Sequence, residues 1–159
     1  MDENNLEEVI NNIVRDAIVK EVMSLKLAVK LIETVEEKAA EMGLAVVVAV
    51  SDASGRPVAV HCMDGAYHGS FDVAVNKTYT STAFQMSTAK LSRLCQPGQD
   101  LYGLQFSNNG KVMILGGGEP LMVGRTMIGA LGVSGGSAQE DSDLAAYGAS
   151  ALKEVIKCL

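Results

Sequence analysis

The sequence predicts an α+β fold in which an antiparallel sheet of about five strands is flanked by helices. Amphipathic helical patterns lie at both ends of the chain, and two short valine-rich segments meet at a tight turn after the first of these patterns. Glycine-rich turns separate further short apolar segments near the C-terminus. The resulting order of helix, hairpin, helix, hairpin, helix favours antiparallel pairing over a wound parallel sheet.

The composition limits the class of protein. The 159 residues suffice for one domain with a hydrophobic core. Hydrophobic residues form 48% of the chain and charged residues 20%, so we expect a homo-oligomer, a dimer or higher, that covers the surplus apolar surface. The net charge of −6 argues against nucleic acid and anionic membranes as partners. A start without a basic signal region, no membrane-length apolar run and three irregularly spaced cysteines predict a cytoplasmic protein.

Residues 1–23 are predicted to form an N-terminal amphipathic helix ahead of a domain that spans residues 24–159. Its apolar stripe follows helical spacing and consists of Leu6, Val9, Ile10, Ile13, Val14, Ala17 and Ile18. Acidic and amide side chains lie opposite the stripe. Since no flexible linker follows, this helix either packs on its own oligomer or docks elsewhere through the stripe.

The domain begins with a second amphipathic helix, from about Ser24 to a glycine stop at Gly43. The run AVVVAV after it is short and rich in valine, which is typical of a buried strand. The turn Asp52-Ala53-Ser54-Gly55 then predicts a hairpin whose second strand runs from Pro57 to Met63.

The rest of the chain is predicted as two helices, three strands and a last helix. A helix starts near Ser70, a short one ends near Leu94, and a helical turn is possible before Ser107-Asn108-Asn109-Gly110. The predicted strands are Lys111–Leu115, Leu121–Val123 and Thr126–Ser134. Ser137 and Glu140 have the spacing of a capping box at the start of the C-terminal helix.

Several motifs resemble those of a known family. The segment SDASGRPVAVHCMDGAYHGSFDVAVNKTYTSTAF contains an Asp-x-x-Gly turn, Met-Asp-Gly-Ala and a Ser-x-x-x-Ala-x-x-Lys helix, and GGGEPLMV precedes GALGVSGGSAQEDSDLAAYG. In this order they resemble the GlcG/HbpS/PduO C-terminal family, the haem-degrading domain family, over about Leu25 to Leu159. The resemblance implies an antiparallel sheet flanked by helices, assembly into dimers or larger oligomers and, in some members, haem binding.

The resemblance makes haem the expected cofactor, although this chain departs from the family pattern. Cys62 stands where many relatives have arginine, and the helix Leu25–Met42 carries no histidine, so an axial ligand from that helix cannot be carried over. Nor does an acidic Asp/Glu-x-x-Glu iron site lie where some relatives have one.

The residues able to ligate haem iron lie on the second strand and the loop after it. His61 and Met63 share one face of the strand, whereas His68 is freer to approach a flat cofactor. No metal beyond a haem iron held by His68 or His61 is expected, because two lone histidines make a zinc site improbable. The alternative is an ordinary sheet histidine and a solvated loop histidine.

Two glycine turns are candidate anion sites. Gly135, Gly136 and Ser137 precede a helix N-terminus, where free N–H groups favour a haem propionate, a phosphate or a carboxylate. Gly117 and Gly118 could form a similar nest. Tight packing and a plain turn are the respective alternatives, and no Gly-Lys-Ser/Thr follows to suggest ATP chemistry.

Three functional hypotheses follow. The first is a haem- or tetrapyrrole-binding accessory protein, and the second is an enzyme for a small molecule in the same cleft, in which Asp64 and Lys77 act as acid, base or anchor. The third is a structural oligomer without a ligand. Residues 6–22 also look like the peptides that direct proteins into bacterial microcompartments, which would place the protein in a compartment lumen with the shell or its cargo as partner.

Overall fold

The computed structural model describes residues 22–159. The elements are helix α1 (Leu25–Glu41), strands β1 (Val47–Asp52) and β2 (Pro57–Cys62), helices α2 (Ser70–Phe84) and α3 (Thr88–Leu94), strands β3 (Gly118–Val123) and β4 (Thr126–Ser134) and helix α4 (Ala138–Lys157). Two 3₁₀ turns, Leu104–Phe106 and Asn108–Gly110, precede β3. This order confirms the α+β prediction. The predicted helix of residues 1–23 lies outside the described residues, apart from its last two.

The four strands form one antiparallel sheet in the order β2-β1-β4-β3. Because side chains alternate along a strand, β1 contributes to two separate cores. Val48 and Val50 join the main core, which α1 and α4 cover, whereas Val47 and Ala49 meet Ala74 of α2 on the opposite face. The molecule is therefore a three-layer sandwich of helices, sheet and helices.

The predicted count of about five strands exceeds the four observed in residues 22–159. Residues 111–115 do not join the sheet. Val112 is instead buried with Leu91 and Cys95 in a small apolar cluster against α3. Met113 N donates to Thr80 Oγ1 (2.8 Å) and not to a strand carbonyl. A short apolar run fits a satellite cluster as well as a strand, which is why its composition misled the prediction.

Side-chain caps fix two of the helix starts at the predicted residues. Ser24 accepts a hydrogen bond from Leu27 N (3.2 Å) at the start of α1. Ser137 and Glu140 form the predicted capping box of α4. Within residues 22–159, every helix is too short or too polar to cross a membrane.

One end of the sheet gathers the chain segments that the sequence marked as functional. Met63 N donates to Val46 O (3.1 Å), and Ser134 Oγ lies 3.2 Å from Ser70 Oγ. Gly135 lies so close to the segment before β1 that a Cβ on it would be 2.6 Å from Ala45 O. The loop after β2, the turn after β4 and the N-termini of α2 and α4 therefore meet at this end.

Candidate functional site

A buried ion pair joins the two helical layers at this end of the sheet. Lys77 of α2 is 1% exposed, and its Nζ donates to Asp141 Oδ2 (2.8 Å) and Val133 O (2.6 Å). Burial lowers the pKa of Lys77 below its ordinary value, against the hydrogen bond and the charge of Asp141, which raise it. The pair thus fastens α2 to β4 and to the first turn of α4.

Asp64 and Lys77, the two residues proposed from the sequence as acid, base or anchor, lie in different surroundings. Asp64 is exposed in the turn that follows β2, whereas Lys77 has its ammonium group engaged twice inside the protein. Lys77 is therefore no surface lysine, and a general acid or base role would first require it to leave Asp141. The sequence signal for Asp141 was its place in the first turn of a capped helix, beneath the glycine turn.

The turn Gly135-Gly136-Ser137 carries the N–H groups expected to bind an anion. Gly136 N donates to Asp141 Oδ1 (2.9 Å), and Ser137 N donates to Glu140 Oε2 (2.8 Å). Hydrogen bonds with the backbone and side chain of Ser137 lower the pKa of Glu140. The chain's own carboxylates thus occupy the positions where a propionate or phosphate was predicted.

Gly117 and Gly118 are buried where the chain passes between α2 and α4. A Cβ on Gly117 would lie 2.8 Å from Lys77 Nζ, and one on Gly118 would lie 2.6 Å from Thr88 Cγ2. Gly118 N donates to Thr88 Oγ1 (2.9 Å). Close packing accounts for both glycines without a ligand.

Glu119 follows these glycines on β3, and burial raises the pKa of its carboxyl. Such a group binds protons more readily in the folded chain, so its ionised form lowers stability at neutral pH. We expect Glu119→Gln to raise the melting temperature at pH 7, with a gain that shrinks below the raised pKa and vanishes below the ordinary value of 4.5. Thermal unfolding at pH 7 and about pH 3.5 measures this; an equal gain at both pH values would contradict the assignment.

His61 projects from β2 toward α1. Its Nδ1 lies 3.3 Å from the Glu36 carboxylate, and the two side chains are 36% and 24% exposed. A carboxylate on Nδ1 orients an imidazole and leaves Nε2 as the atom that can face a ligand. Met63, two residues further on, packs against the main core. The prediction that these two residues share a face is consistent with their positions.

His68 lies in the exposed turn between β2 and α2. Two exposed aromatic residues are close to it in the sequence, Tyr67 at 73% exposure and Phe71 at 45%, and Phe71 N donates to His68 O (3.4 Å). We call these three residues the aromatic patch. Neither ring was among the predicted site residues, although aromatic residues on both sides of a loop histidine in the sequence are a signal for such a site.

The helix start beside the aromatic patch differs from that of α4. Residue 69, the N-cap of α2, is a glycine and forms no side-chain cap. Among residues 22–159, no three histidine, cysteine or carboxylate side chains come together as a metal site. The aromatic patch thus supplies one imidazole and two aromatic rings, and it lies at a helix N-terminus without a capping side chain.

Residues 23–150 match the family model described as haem degrading protein HbpS-like. A curated relative, an uncharacterized 15.0 kDa protein from the dhaT-dhaS intergenic region of Citrobacter freundii, is 39% identical over 77% of this chain and 87% of its own. Among solved structures, the Klebsiella pneumoniae protein ORFY has a TM-score of 0.80 at 36% identity, over 82% of this chain and 90% of that one. A PduOC:heme complex has a TM-score of 0.78 at 35% identity, over 82% and 94% respectively.

Proposed function

Because this chain belongs to the HbpS-like family of haem-degrading proteins, we propose that it binds haem, or a related tetrapyrrole, at the aromatic patch. His68 is the proposed iron ligand. The similar PduOC structure is a complex with haem, which supports the class of ligand.

The observation that carries the proposal is an exposed imidazole in a turn that also exposes two large aromatic side chains. Haem iron takes an axial imidazole, and the flat macrocycle gains free energy when its faces leave water. Tyr67 and Phe71, one residue before and three residues after His68, expose such apolar surface.

The chemistry of a bound haem would come from its iron, whereas the protein would supply the ligand and exclude water. The patch can cover only one face of a macrocycle, because Tyr67 is 73% exposed on an outward turn. We therefore propose that a second copy of the chain covers the other face, in a homo-oligomer. His61, whose Nδ1 is held by Glu36, is the alternative ligand.

A haem titration followed by absorbance tests the ligand. We expect a saturable shift of the Soret band with the wild-type protein and a dissociation constant raised by more than about tenfold in His68→Ala, which equals about 1.4 kcal/mol. His61→Ala is the matched control and should bind like the wild type.

Other outcomes of the titration would assign the iron ligand to another residue or reject haem binding. A loss confined to His61→Ala would move the ligand to β2, and equal binding by both variants would exclude the histidines. With no shift in the wild-type protein, the haem proposal fails. A cobalamin titration would then test a related macrocycle, and an intact oligomer that binds neither compound would favour the ligand-free structural role.

A further inference from the structure

An apolar groove lies on the outer surface of α1, along the N-terminal half of this helix. Leu25, Val29 and Leu159 form its walls, Lys26, Lys30 and Glu33 line its rim, and its volume is about 550 Å³. We call it the α1 groove. Lys26 Nζ donates to Leu159 O (3.3 Å) and so holds the C-terminal residue beside α1.

The walls of the α1 groove are unusually exposed for apolar side chains. Leu25 is 62% exposed and Leu159 is 44% exposed, and Val22, immediately before α1, is 55% exposed. Contiguous apolar surface of this kind marks an interaction site, since water is a poor solvent for it. The walls belong to one helix and the chain end, so the groove is a strip that a second helix could fill.

We propose that the α1 groove receives the apolar stripe of residues 6–18 of the same chain. The stripe ends four residues before Val22, and Leu25, the first residue of the groove, follows Val22 by three positions. As a helix, residues 6–18 would extend about 20 Å and could run back along α1, which is about 25 Å long at 1.5 Å per residue. The short connection matches that of two antiparallel helices.

The charges of the two surfaces are complementary. Residues 1–21 contain six acidic and two basic residues, a net charge of −4. The rim of the α1 groove contains two lysines and one glutamate. Lys30 Nζ lies 3.1 Å from Glu33 Oε2, so Lys26 carries the unbalanced positive charge. The opposite signs of these charges favour contact between the apolar stripe and the groove. The same stripe would have to leave the groove before it could dock on another protein.

Hydrogen exchange of the full-length protein, followed by mass spectrometry, tests the docking. We expect the amides of residues 6–18 to be protected in the wild type, and Leu25→Asp to lower this protection at least tenfold. Phe106→Asp is the matched control, because Phe106 is 82% exposed outside the groove and undergoes the same change of chemistry. Both variants should leave the amides of β1 and β4 as protected as in the wild type. Absence of protection, or protection indifferent to Leu25→Asp, would overturn the proposal.

A cross-link distinguishes docking within one chain from docking between two copies. Cys158 is exposed beside Leu159 and offers a native thiol at the groove. In Asp16→Cys, a short bis-maleimide should join residues 16 and 158 of one chain, whereas the exposed Cys62 on β2 should remain unlinked. A mixture of ¹⁵N-labelled and unlabelled protein separates the two cases, and mixed-isotope cross-links would overturn docking within the chain. Neither experiment measures haem binding, so the docking proposal and the haem proposal can each be rejected without the other.

Discussion

Replacing Asp141 by alanine is expected to lower the free energy of unfolding by about 3–5 kcal/mol, the range typical of a broken buried ion pair. The substitution leaves the Lys77 ammonium group 1% exposed with only Val133 O as a partner. It also removes the acceptor of Gly136 N, so the turn before α4 loses a hydrogen bond. Urea denaturation measures the change.

A double variant shows whether the lost stability comes from the unpaired charge. Lys77→Met together with Asp141→Ala removes both charges and keeps most of the volume of the lysine. We expect it to be more stable than Asp141→Ala alone, because an uncompensated buried charge costs more than an apolar replacement. Two results would contradict this explanation. Either Asp141→Ala lowers the free energy of unfolding by less than about 1 kcal/mol, or the double variant is less stable than Asp141→Ala alone.

The sequence predicted the fold well because its signals were local. The valine-rich run of β1, the Asp52-Gly55 turn and the Ser137 capping box each depend on residues within a few positions of one another. Residues 111–115 were the failure, since whether an apolar run pairs as a strand or packs on a helix is decided by distant residues. The periodicity of hydrophobic residues in such a short segment does not report these tertiary contacts.

The candidate site was less predictable for the same reason. Lys77 and Asp141 are 64 positions apart, so nothing in the sequence linked them. The glycine turn was correctly located at a helix N-terminus, but the N–H groups of Gly136 and Ser137 donate to Asp141 and Glu140. His68 could be chosen from the sequence as a loop histidine, whereas the exposure of Tyr67 and Phe71 required the structure.

The second large effect is expected at Gly132, where α2 crosses β4. A Cβ on Gly132 would lie 2.1 Å from Ala74 O and 3.0 Å from Thr78 Cγ2. Since the first of these atoms belongs to the helix backbone, a rotamer change cannot relieve the overlap and α2 has to move away from the sheet. We expect Gly132→Ala to lower the free energy of unfolding by about 3 kcal/mol or more, as measured by urea denaturation.

The matched control for Gly132→Ala is Gly69→Ala. Gly69 has helical φ and ψ angles of −64° and −20°, and a Cβ there would meet no atom within 4 Å. Its substitution should change stability by no more than about 0.5 kcal/mol, in line with an open surface site. Similar costs at the two positions would mean that α2 does not lie against β4 as closely as described. The contact between α2 and β4 also positions Ser70 and the turn that carries His68. We therefore expect Gly132→Ala to weaken haem binding, although Gly132 lies outside the aromatic patch. A wild-type affinity for haem in this variant would show that the geometry of the patch does not depend on the sheet.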